Sequence, residues 1–440
     1  MSSNDDEHEG TEVPTGFRDR TLKTLKLAGS LGKGYLQRTM DQFGDDTGLD
    51  VEKALKLVDE LGTLRGLLAK FGQMASYLPG ELPAEVRRIL SELQDDAAAM
   101  PFDDVEDVFL HEFDRSPHRM FDHFEPRPFA AASIGQVHRA RNDGKDLAVK
   151  VQYPHIQKAV DKDLRTIGML ARVTTLGMPI DAVELAAELR DRIGQECDYE
   201  RELYNQQMFR DLLADIPGCR VPKPYREWSS RRVLTSEYVD ALTFQEFVDT
   251  ADQSQKDRAG ELIFSTCFRS IFNHCVYNAD PHPGNYLFDG DEVVFLDFGC
   301  IRSFEPEMIA TWKGVARSVI DGDRRRFEEL YPQLGLVPDP DDFDWDHQWK
   351  VMKYLYRPYL SSEDFAFTPE YIKESYSLMV FDNPNQRRMS LPREWLFLNR
   401  LQWGLYAVLA QLEATAPWGE IWREVISTDT EPMSPRRRIS

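Results

Sequence analysis

The segment NADPHPGNYLF, with the DGD, EVVFL and DFG runs that follow it, constrains the fold of this chain more than any other feature. Asp280 lies five residues before Asn285, and Asp297 lies twelve residues after it, beyond a turn-like DGD that predicts a hairpin. Taken singly, each of these residues would be an ordinary turn or cap residue. Together, they predict half of a Mg-ATP site, in which Asn285 and Asp297 hold the metal and Asp280 accepts a hydrogen bond from the attacking hydroxyl or water.

The other half of the site is predicted upstream, at Lys150. The run LAVKVQ (147–152) alternates, so Lys150 points into a cleft while the flanking valines face the opposite side of the sheet. A polar helical stretch, ECDYERE, follows about 45 residues later. Its Glu196 or Glu202 is expected to pair with the Lys150 ammonium, which would hold the α- and β-phosphates. The alternative is an edge-strand lysine that discourages aggregation.

The segment before Lys150 carries alanines where a protein kinase has a glycine-rich loop. Gly135 is the only glycine in AAASIG (130–135), so the backbone of this loop is less free to adopt positive φ than a glycine-rich loop. Ordinary protein kinases are therefore disfavoured. The residues expected to cover the phosphates are Ala130, Ala131, Ala132 and Ser133.

The run VLTSEYVD (233–240) predicts a strand that continues into a hinge. Backbone groups near Glu237 and Val239 would contact the adenine there. The order along the chain is then lysine, glutamate, hinge, the Asp280 and Asn285 pair, and DFG. This order is that of a kinase.

Two further motifs identify a particular resemblance. KxGQ is present as Lys70 to Gln73, and ExD as Glu196 to Asp198, ahead of the ADPHPGN segment. With these motifs in this order, residues 50–420 resemble the UbiB-type atypical kinase family, which includes proteins that support ubiquinone biosynthesis. The resemblance implies an α+β, protein-kinase-like two-lobe fold with an N-terminal helical extension that carries KxGQ and folds over the region where a protein substrate would dock.

The same resemblance implies function. It suggests adenine nucleotide (ATP or ADP) and Mg²⁺ as cofactors, ATPase activity, and an association with membranes and isoprenoid lipids. It also gives regulatory roles to Lys70, Gln73, Asp198 and Glu202. Helical spacing alone would make Lys70 and Gln73 a solvated polar face. It also leaves the partner of Lys150 open, because Glu196 and Glu202 lie on different faces of one helical segment.

The pattern along the chain predicts six segments. Apolar residues recurring every three or four positions from Ala54 to Phe71 predict an amphipathic helix that ends near KxGQ, and a helix over 256–277 is expected to lead into the catalytic loop. The segments are a disordered acidic tail (1–16), a basic amphipathic segment (17–40), the N-terminal helical extension (50–112), a small nucleotide-binding lobe (120–238), a large lobe with the catalytic loop and DFG (239–425) and a tail (426–440).

Charge and hydropathy limit the partners. A formal net charge of −22 disfavours nucleic acid. The sequence contains no signal peptide and no apolar run of about 18 residues, which predicts a cytoplasmic protein without a transmembrane segment. The segment 17–40 has six Lys or Arg against one Asp, so it fits a helix on an anionic membrane surface at the inner face, or equally a helix docked on the protein's own acidic body.

These expectations converge on an enzyme. We expect ATP hydrolysis, or phosphoryl transfer to a small or lipid-like acceptor, in support of isoprenoid-quinone or related lipid metabolism. One alternative is a pseudokinase that uses nucleotide occupancy as a switch for partners, and the intact Asp280, Asn285 and Asp297 set favours the enzyme over it. The other alternative, a protein kinase, is disfavoured by the alanine-rich loop and by KxGQ.

Overall fold

A computed structural model describes residues 100–132, 134–154, 197–390 and 392–433. The chain divides into two compact units, one formed by residues 1–98 and 159–176, and the other by residues 99–158 and 177–440. All of the described residues belong to the second unit. Several predicted features lie outside the described residues, namely the segments 1–16 and 17–40, most of the extension 50–112 with Lys70 and Gln73, and the residues Ser133 and Glu196.

The described part of the chain combines short strands with long helices. The strands, in chain order, are β1 (His123–Phe124), β2 (Ala130–Ala132), β3 (Gly135–Asn142), β4 (Lys145–Gln152), β5 (Cys219–Arg220), β6 (Val233–Glu237), β7 (Leu242–Thr243), β8 (Val276–Asn278), β9 (Tyr286–Asp289), β10 (Glu292–Phe295), β11 (Ile301–Ser303), β12 (Phe365–Ala366) and β13 (Thr415–Ala416). The helices are α1 (Phe102–Phe113), α2 (Pro117–Met120), α3 (Tyr199–Leu212), α4 (Phe244–Thr250), α5 (Gln253–His274), α6 (Pro306–Ile320), α7 (Arg324–Leu330), α8 (Trp345–Leu355), α9 (Arg357–Leu360), α10 (Pro369–Tyr376), α11 (Arg393–Gln411) and α12 (Trp418–Ser427). A π-helix, Ser377–Phe381, follows α10.

The small lobe is built on an antiparallel five-stranded sheet. Its strands run in the order β1, β3, β4, β6, and β2 also pairs with β3. The alternation in β4 buries Val149 and Val151 completely on one face, and Lys150 lies on the other. The sheet thus presents its lysine to the opposite side from the core.

Helix α1 belongs to the core of this lobe. Its buried residues Val105, Val108 and Phe109 pack in one cluster with Val149 and Val151. The sequence pattern predicts 103–112 as part of the N-terminal extension (50–112), whereas in the structure this helix packs on the small-lobe sheet. A helical period shows that a helix has an apolar face, but it does not show which element that face covers.

The large lobe is mostly helical. A four-stranded sheet in the order β5, β10, β9, β7 contains the predicted hairpin, formed by β9 and β10, and its turn includes Gly290 with φ of 59°. Strands β8 and β11 pair antiparallel across the segment from the catalytic loop to DFG. Below them, α5, α6, α8, α11 and α12 bury an aromatic core that includes Trp312, Tyr406, Trp418 and Trp422.

Two predicted boundaries differ from the structure. The helix predicted over 256–277 ends at His274, because Cys275 takes a left-handed conformation (φ 56°) and Val276 begins strand β8. A non-glycine residue in this conformation leaves no sign in the sequence. The tail predicted from 426 begins inside α12, where Val425 and Ile426 are buried.

No helix in the described ranges is long and apolar enough to cross a bilayer. No disulfide joins any two of the five cysteines, all of which lie in the described part of the chain.

Candidate active site

Lys150 and Glu202 form a buried ion pair. The Lys150 ammonium donates to both carboxylate oxygens of Glu202, at 2.8 and 3.0 Å. It also lies 4.9 Å from the centre of the Tyr199 ring, a favourable position for a cation. Burial alone would lower the pKa of Lys150, but the carboxylates of Glu202 and Asp297 more than offset it, and the pKa lies above its ordinary value. Lys150 is therefore charged at neutral pH.

Asp297 lies at the accessible side of this pair. Its Oδ2 is 4.0 Å from the Lys150 ammonium, and its Oδ1 accepts a hydrogen bond from the Gly299 amide at 2.8 Å. The exposed fraction rises from 3% for the Glu202 side chain to 17% for Lys150 and 30% for Asp297. A ligand that enters from solvent would therefore meet Asp297 first and Glu202 last.

One face of α3 holds the DFG segment. Asn205, three residues after Glu202, donates from its amide to the Phe298 carbonyl at 3.0 Å. Phe209, four residues further, packs on the buried Phe298 ring with the ring centres 5.3 Å apart. Residues spaced by three and four share a helix face, so Glu202, Asn205 and Phe209 fix α3 against both Lys150 and DFG.

The catalytic loop is tied to DFG by Asn278. The side-chain NH2 of Asn278 donates a hydrogen bond to the backbone carbonyl of Asp297. The side-chain Oδ1 of Asn278 accepts a hydrogen bond from the backbone N–H of Asp280 at 3.1 Å. The side-chain NH2 of Asn285 donates to the backbone carbonyl of Asp280 at 2.8 Å. The backbone N–H of Leu296 donates to the backbone carbonyl of Asn285 at 3.0 Å. These bonds bring Asp280, Asn285 and Asp297 into one polar network, although they are separated by 17 residues of chain.

The predicted phosphate loop has strand structure over its alanines. Ala130, Ala131 and Ala132 form β2, which pairs with β3 down to the Ala132 and Gly135 partners. Strand pairing thus continues to the end of the alanine run, because alanine favours no special backbone conformation that would interrupt pairing. Gly135 is needed for packing, since a Cβ there would overlap the Val151 carbonyl.

At the predicted hinge, Glu237 turns its side chain toward Arg220. The Glu237 carboxylate accepts from the Arg220 guanidinium at 2.6 Å and from the Lys223 amide at 3.1 Å. The Arg220 guanidinium is also 3.3 Å from Asp289 on β9. Val239, two residues further, is buried. The Glu237 carboxylate therefore links β6 to the large-lobe hairpin, which leaves only backbone groups of this segment for an adenine ring.

Of the two ExD acids, Asp198 has a local role. Its side chain accepts from the Arg201 amide at 3.2 Å and caps the N-terminus of α3. Glu196 lies outside the described residues. Sequence reasoning did not single out Asn205, Tyr199 or Asn278. For Asn205 a signal was present, because it follows Glu202 by three residues on a helix.

The residues present fit Mg-ATP. Asp297 and Asn285 would hold Mg²⁺, which accepts carboxylate and amide oxygens and takes its remaining ligands from phosphate and water. In the described part of the chain, no group of three or more His, Cys, Asp or Glu side chains could hold a metal ion by itself. The Lys150 ammonium supplies the positive charge that phosphates require.

An antiparallel five-stranded lobe with a buried Lys150–Glu202 pair, joined to a helical lobe with DFG beside it, defines the class of the kinase-like proteins. Within this class, residues 92–331 match the ABC1 atypical kinase-like domain. The chain belongs to this family of UbiB-type atypical kinases. The resemblance predicted from the sequence motifs and the α+β, protein-kinase-like fold are confirmed.

Individual relatives agree with the family match. The chain is 30% identical over 440 residues to the mitochondrial atypical kinase coq-8 of Caenorhabditis elegans, covering 94% of this chain but 58% of that protein. It is 28% identical over 445 residues to the mitochondrial atypical kinase COQ8 of Saccharomyces cerevisiae, covering 95% and 86%. A solved Mycobacterium tuberculosis structure, described as a complex of Rv3197 with erythromycin, aligns over 92% of this chain and 98% of that one with a TM-score of 0.66. At 22% identity this last likeness shows the fold alone.

Proposed function

We propose that this chain is an atypical kinase or ATPase that binds Mg-ATP and supports isoprenoid-quinone or related lipid metabolism. The observation that carries the proposal is the contact of three separated segments at one point: Lys150 pairs with Glu202 and lies 4.0 Å from Asp297. A lysine whose pKa is raised by one buried carboxylate and by a second, more exposed one is a candidate functional group. The family match and the COQ8 relatives support an atypical kinase with a role in ubiquinone biosynthesis.

In the proposed site, each residue has a defined task. Glu202 keeps the Lys150 ammonium aimed at the α- and β-phosphates. Asp297, oriented by the Gly299 amide, and Asn285 hold Mg²⁺, which when bound neutralises charge on the phosphates. Asp280 accepts the proton of the attacking hydroxyl or positions water. The acceptor is small or lipid-like.

The metal ligand can be tested by thermal stabilisation. Asp297→Asn should remove the stabilisation that Mg-ATP gives the wild type, because it loses the charge that holds the metal. Asp291→Asn is the matched control, since Asp291 is an exposed turn residue of the same hairpin. The thermal stabilisation that Mg-ADP and metal-free ATP give to each protein is measured in the same way. Equal stabilisation of both variants by Mg-ATP would remove Asp297 from the site.

Turnover decides between the enzyme and a nucleotide-dependent switch. Phosphate release by wild type and Asp280→Asn should be compared with and without vesicles that contain anionic lipid. Turnover that depends on Asp280 supports the enzyme. Tight Mg-ATP binding with no turnover under either condition would instead support a pseudokinase that acts through its conformation.

Two further proposals concern segments outside the described residues. We propose peripheral association through 17–40 at the cytoplasmic membrane face. Its basic residues would each contribute about 1 kcal/mol near anionic lipid before screening. Deletion of 17–40 should abolish sedimentation with anionic vesicles and leave Mg-ATP binding intact, whereas equal sedimentation would favour docking on the protein itself.

We also propose that Lys70 and Gln73 of KxGQ regulate nucleotide handling. Lys70→Ala should change nucleotide affinity or autophosphorylation without unfolding the protein. If Lys70→Ala matches the wild type in both thermal shift and label transfer from γ-phosphate-labelled ATP, Lys70 is an ordinary solvated residue.

A further inference from the structure

The segment Thr428–Met433, here called the C-terminal strap, caps the end of helix α5. The last carbonyls of a helix have no partner within it and must find one elsewhere. In α5, the Phe272 carbonyl accepts from the Thr430 hydroxyl at 2.9 Å, the Asn273 carbonyl from the Glu431 amide at 2.6 Å, and the His274 carbonyl from the Met433 amide at 2.8 Å. Three successive carbonyls of α5 are thus satisfied by the strap.

Helix α6 anchors the strap through Lys313. The Lys313 ammonium donates to the Thr428 carbonyl at 2.7 Å and to the Thr430 hydroxyl at 2.8 Å. Lys313 is only 6% exposed, and both of these acceptors are uncharged. The Thr430 hydroxyl therefore makes two hydrogen bonds: it accepts one from the Lys313 ammonium and donates one to the Phe272 carbonyl. A buried lysine directed at neutral oxygens is unusual enough to require an explanation.

The capped end of α5 leads directly into the catalytic loop. Only Cys275 separates the helix from strand β8, and β8 ends at Asn278. Asn278 in turn binds both the Asp280 amide and the Asp297 carbonyl. A displacement of the end of α5 would therefore also move the three-residue strand β8, and with it Asp280 and Asp297, which Asn278 binds.

The strap also reaches the DFG segment by packing. The Met433 side chain packs against the hydrophobic cluster that contains Phe298, Phe209 and Ile301. This cluster joins α3 to DFG. The strap is thus in contact with both supports of the site, the helix that precedes the catalytic loop and the cluster beneath DFG.

We propose that Lys313 and Thr430 are positioning residues for the site: through the strap they fix the end of α5, and so hold Asp280 and Asp297 in register. Neither residue is among those proposed to bind the nucleotide or the metal. The proposal rests on the proposed function only for its effect on turnover, because the effect on the order of the catalytic loop exists without any ligand.

The test compares Thr430→Val with Thr430→Ser in the full chain. Valine keeps the shape of threonine but loses both hydrogen bonds, whereas serine keeps them. Hydrogen exchange without nucleotide should show the Ala279 amide, which donates to the Cys300 carbonyl, about tenfold less protected in Thr430→Val and near wild type in Thr430→Ser. Lys313→Met should reproduce the valine result. Equal protection in all variants would overturn the proposal.

Turnover gives the second readout. In Thr430→Val, kcat for phosphate release should fall about tenfold and Mg-ATP affinity by a smaller factor, because Asp280 and Asp297 lose their register while the Lys150–Glu202 pair stays in place. Thr430→Ser should restore kcat. A parallel loss of affinity and kcat would overturn the positioning role and indicate general destabilisation. If the wild type neither binds nor hydrolyses ATP, the proposed function fails, and the exchange result still decides the role of the strap.

Discussion

Replacing Glu202 by glutamine tests the buried ion pair directly. Glu202 is 3% exposed and accepts two hydrogen bonds from Lys150, at 2.8 and 3.0 Å. Removing one partner of a buried pair generally costs about 3–5 kcal/mol. Glutamine retains one acceptor oxygen, and Asp297, 4.0 Å from the ammonium, retains part of the charge compensation. We therefore expect the free energy of unfolding to fall by about 2–3 kcal/mol.

Urea denaturation followed by tryptophan fluorescence measures this loss. Glu200→Gln is the matched control, because Glu200 is exposed on the same helix, and it should change the free energy of unfolding by no more than about 0.5 kcal/mol. A cycle with Lys150→Met isolates the pair. Each single variant leaves one buried group without its partner, whereas the double variant removes both groups. The free energy of unfolding of the double variant should therefore fall by at least about 1 kcal/mol less than the sum of the two single-variant losses.

The size of the loss distinguishes two physical descriptions of the pair. A pair that is screened by solvent contributes less than about 1 kcal/mol. If Glu202→Gln behaves like Glu200→Gln, or if the two single losses simply add, then the pair is of that weaker kind. Glu202 would then not be the group that keeps Lys150 charged and aimed.

Three further results are expected. Gly135→Ala should lower the melting temperature and cost about 1–3 kcal/mol, because its Cβ would overlap the Val151 carbonyl. Burial lowers the pKa of His138 below its ordinary value of 6.5, so the unfolded chain binds the proton more readily and the free energy of unfolding should fall as pH drops below about 6.5. The urea midpoint of His138→Gln should depend less on pH over that range than that of the wild type. Arg220→Met should cost at most about 1 kcal/mol, because its pair with Glu237 is about one-third exposed, and the loss should vanish in about 1 M salt.

Each of these three has a control and a contrary outcome. Gly284→Ala is the control for Gly135→Ala, since its nearest neighbour is a movable side chain, His282, at 3.2 Å. Equal melting temperatures for the two variants would contradict the close approach of β3 to β4. Parallel pH curves for wild type and His138→Gln would mean that another group titrates. A loss in Arg220→Met that persists in high salt would point to packing by the side-chain stem rather than charge.

Local patterns in the sequence were sufficient for several features. Alternation along 147–152 placed Lys150 opposite its flanking valines, because successive side chains of a strand point to opposite faces. The DGD run predicted the turn between β9 and β10, where Gly290 takes positive φ. The order of the motifs predicted the kinase-like fold, which the family match confirms. In each case the property depends on residues that are close together in the chain.

The remaining features depend on how distant segments pack. The sequence left Glu196 and Glu202 as alternatives for Lys150, and only the position of α3 brings Glu202 to the ammonium, across 52 residues of chain. Glu237 could not be assigned to Arg220, nor Lys313 to the strap, since neither contact follows a periodic pattern. Helical and strand periods specify which face of an element is apolar or polar. The element that this face meets is decided by the burial and hydrogen bonding of the whole fold, and so only by the tertiary structure.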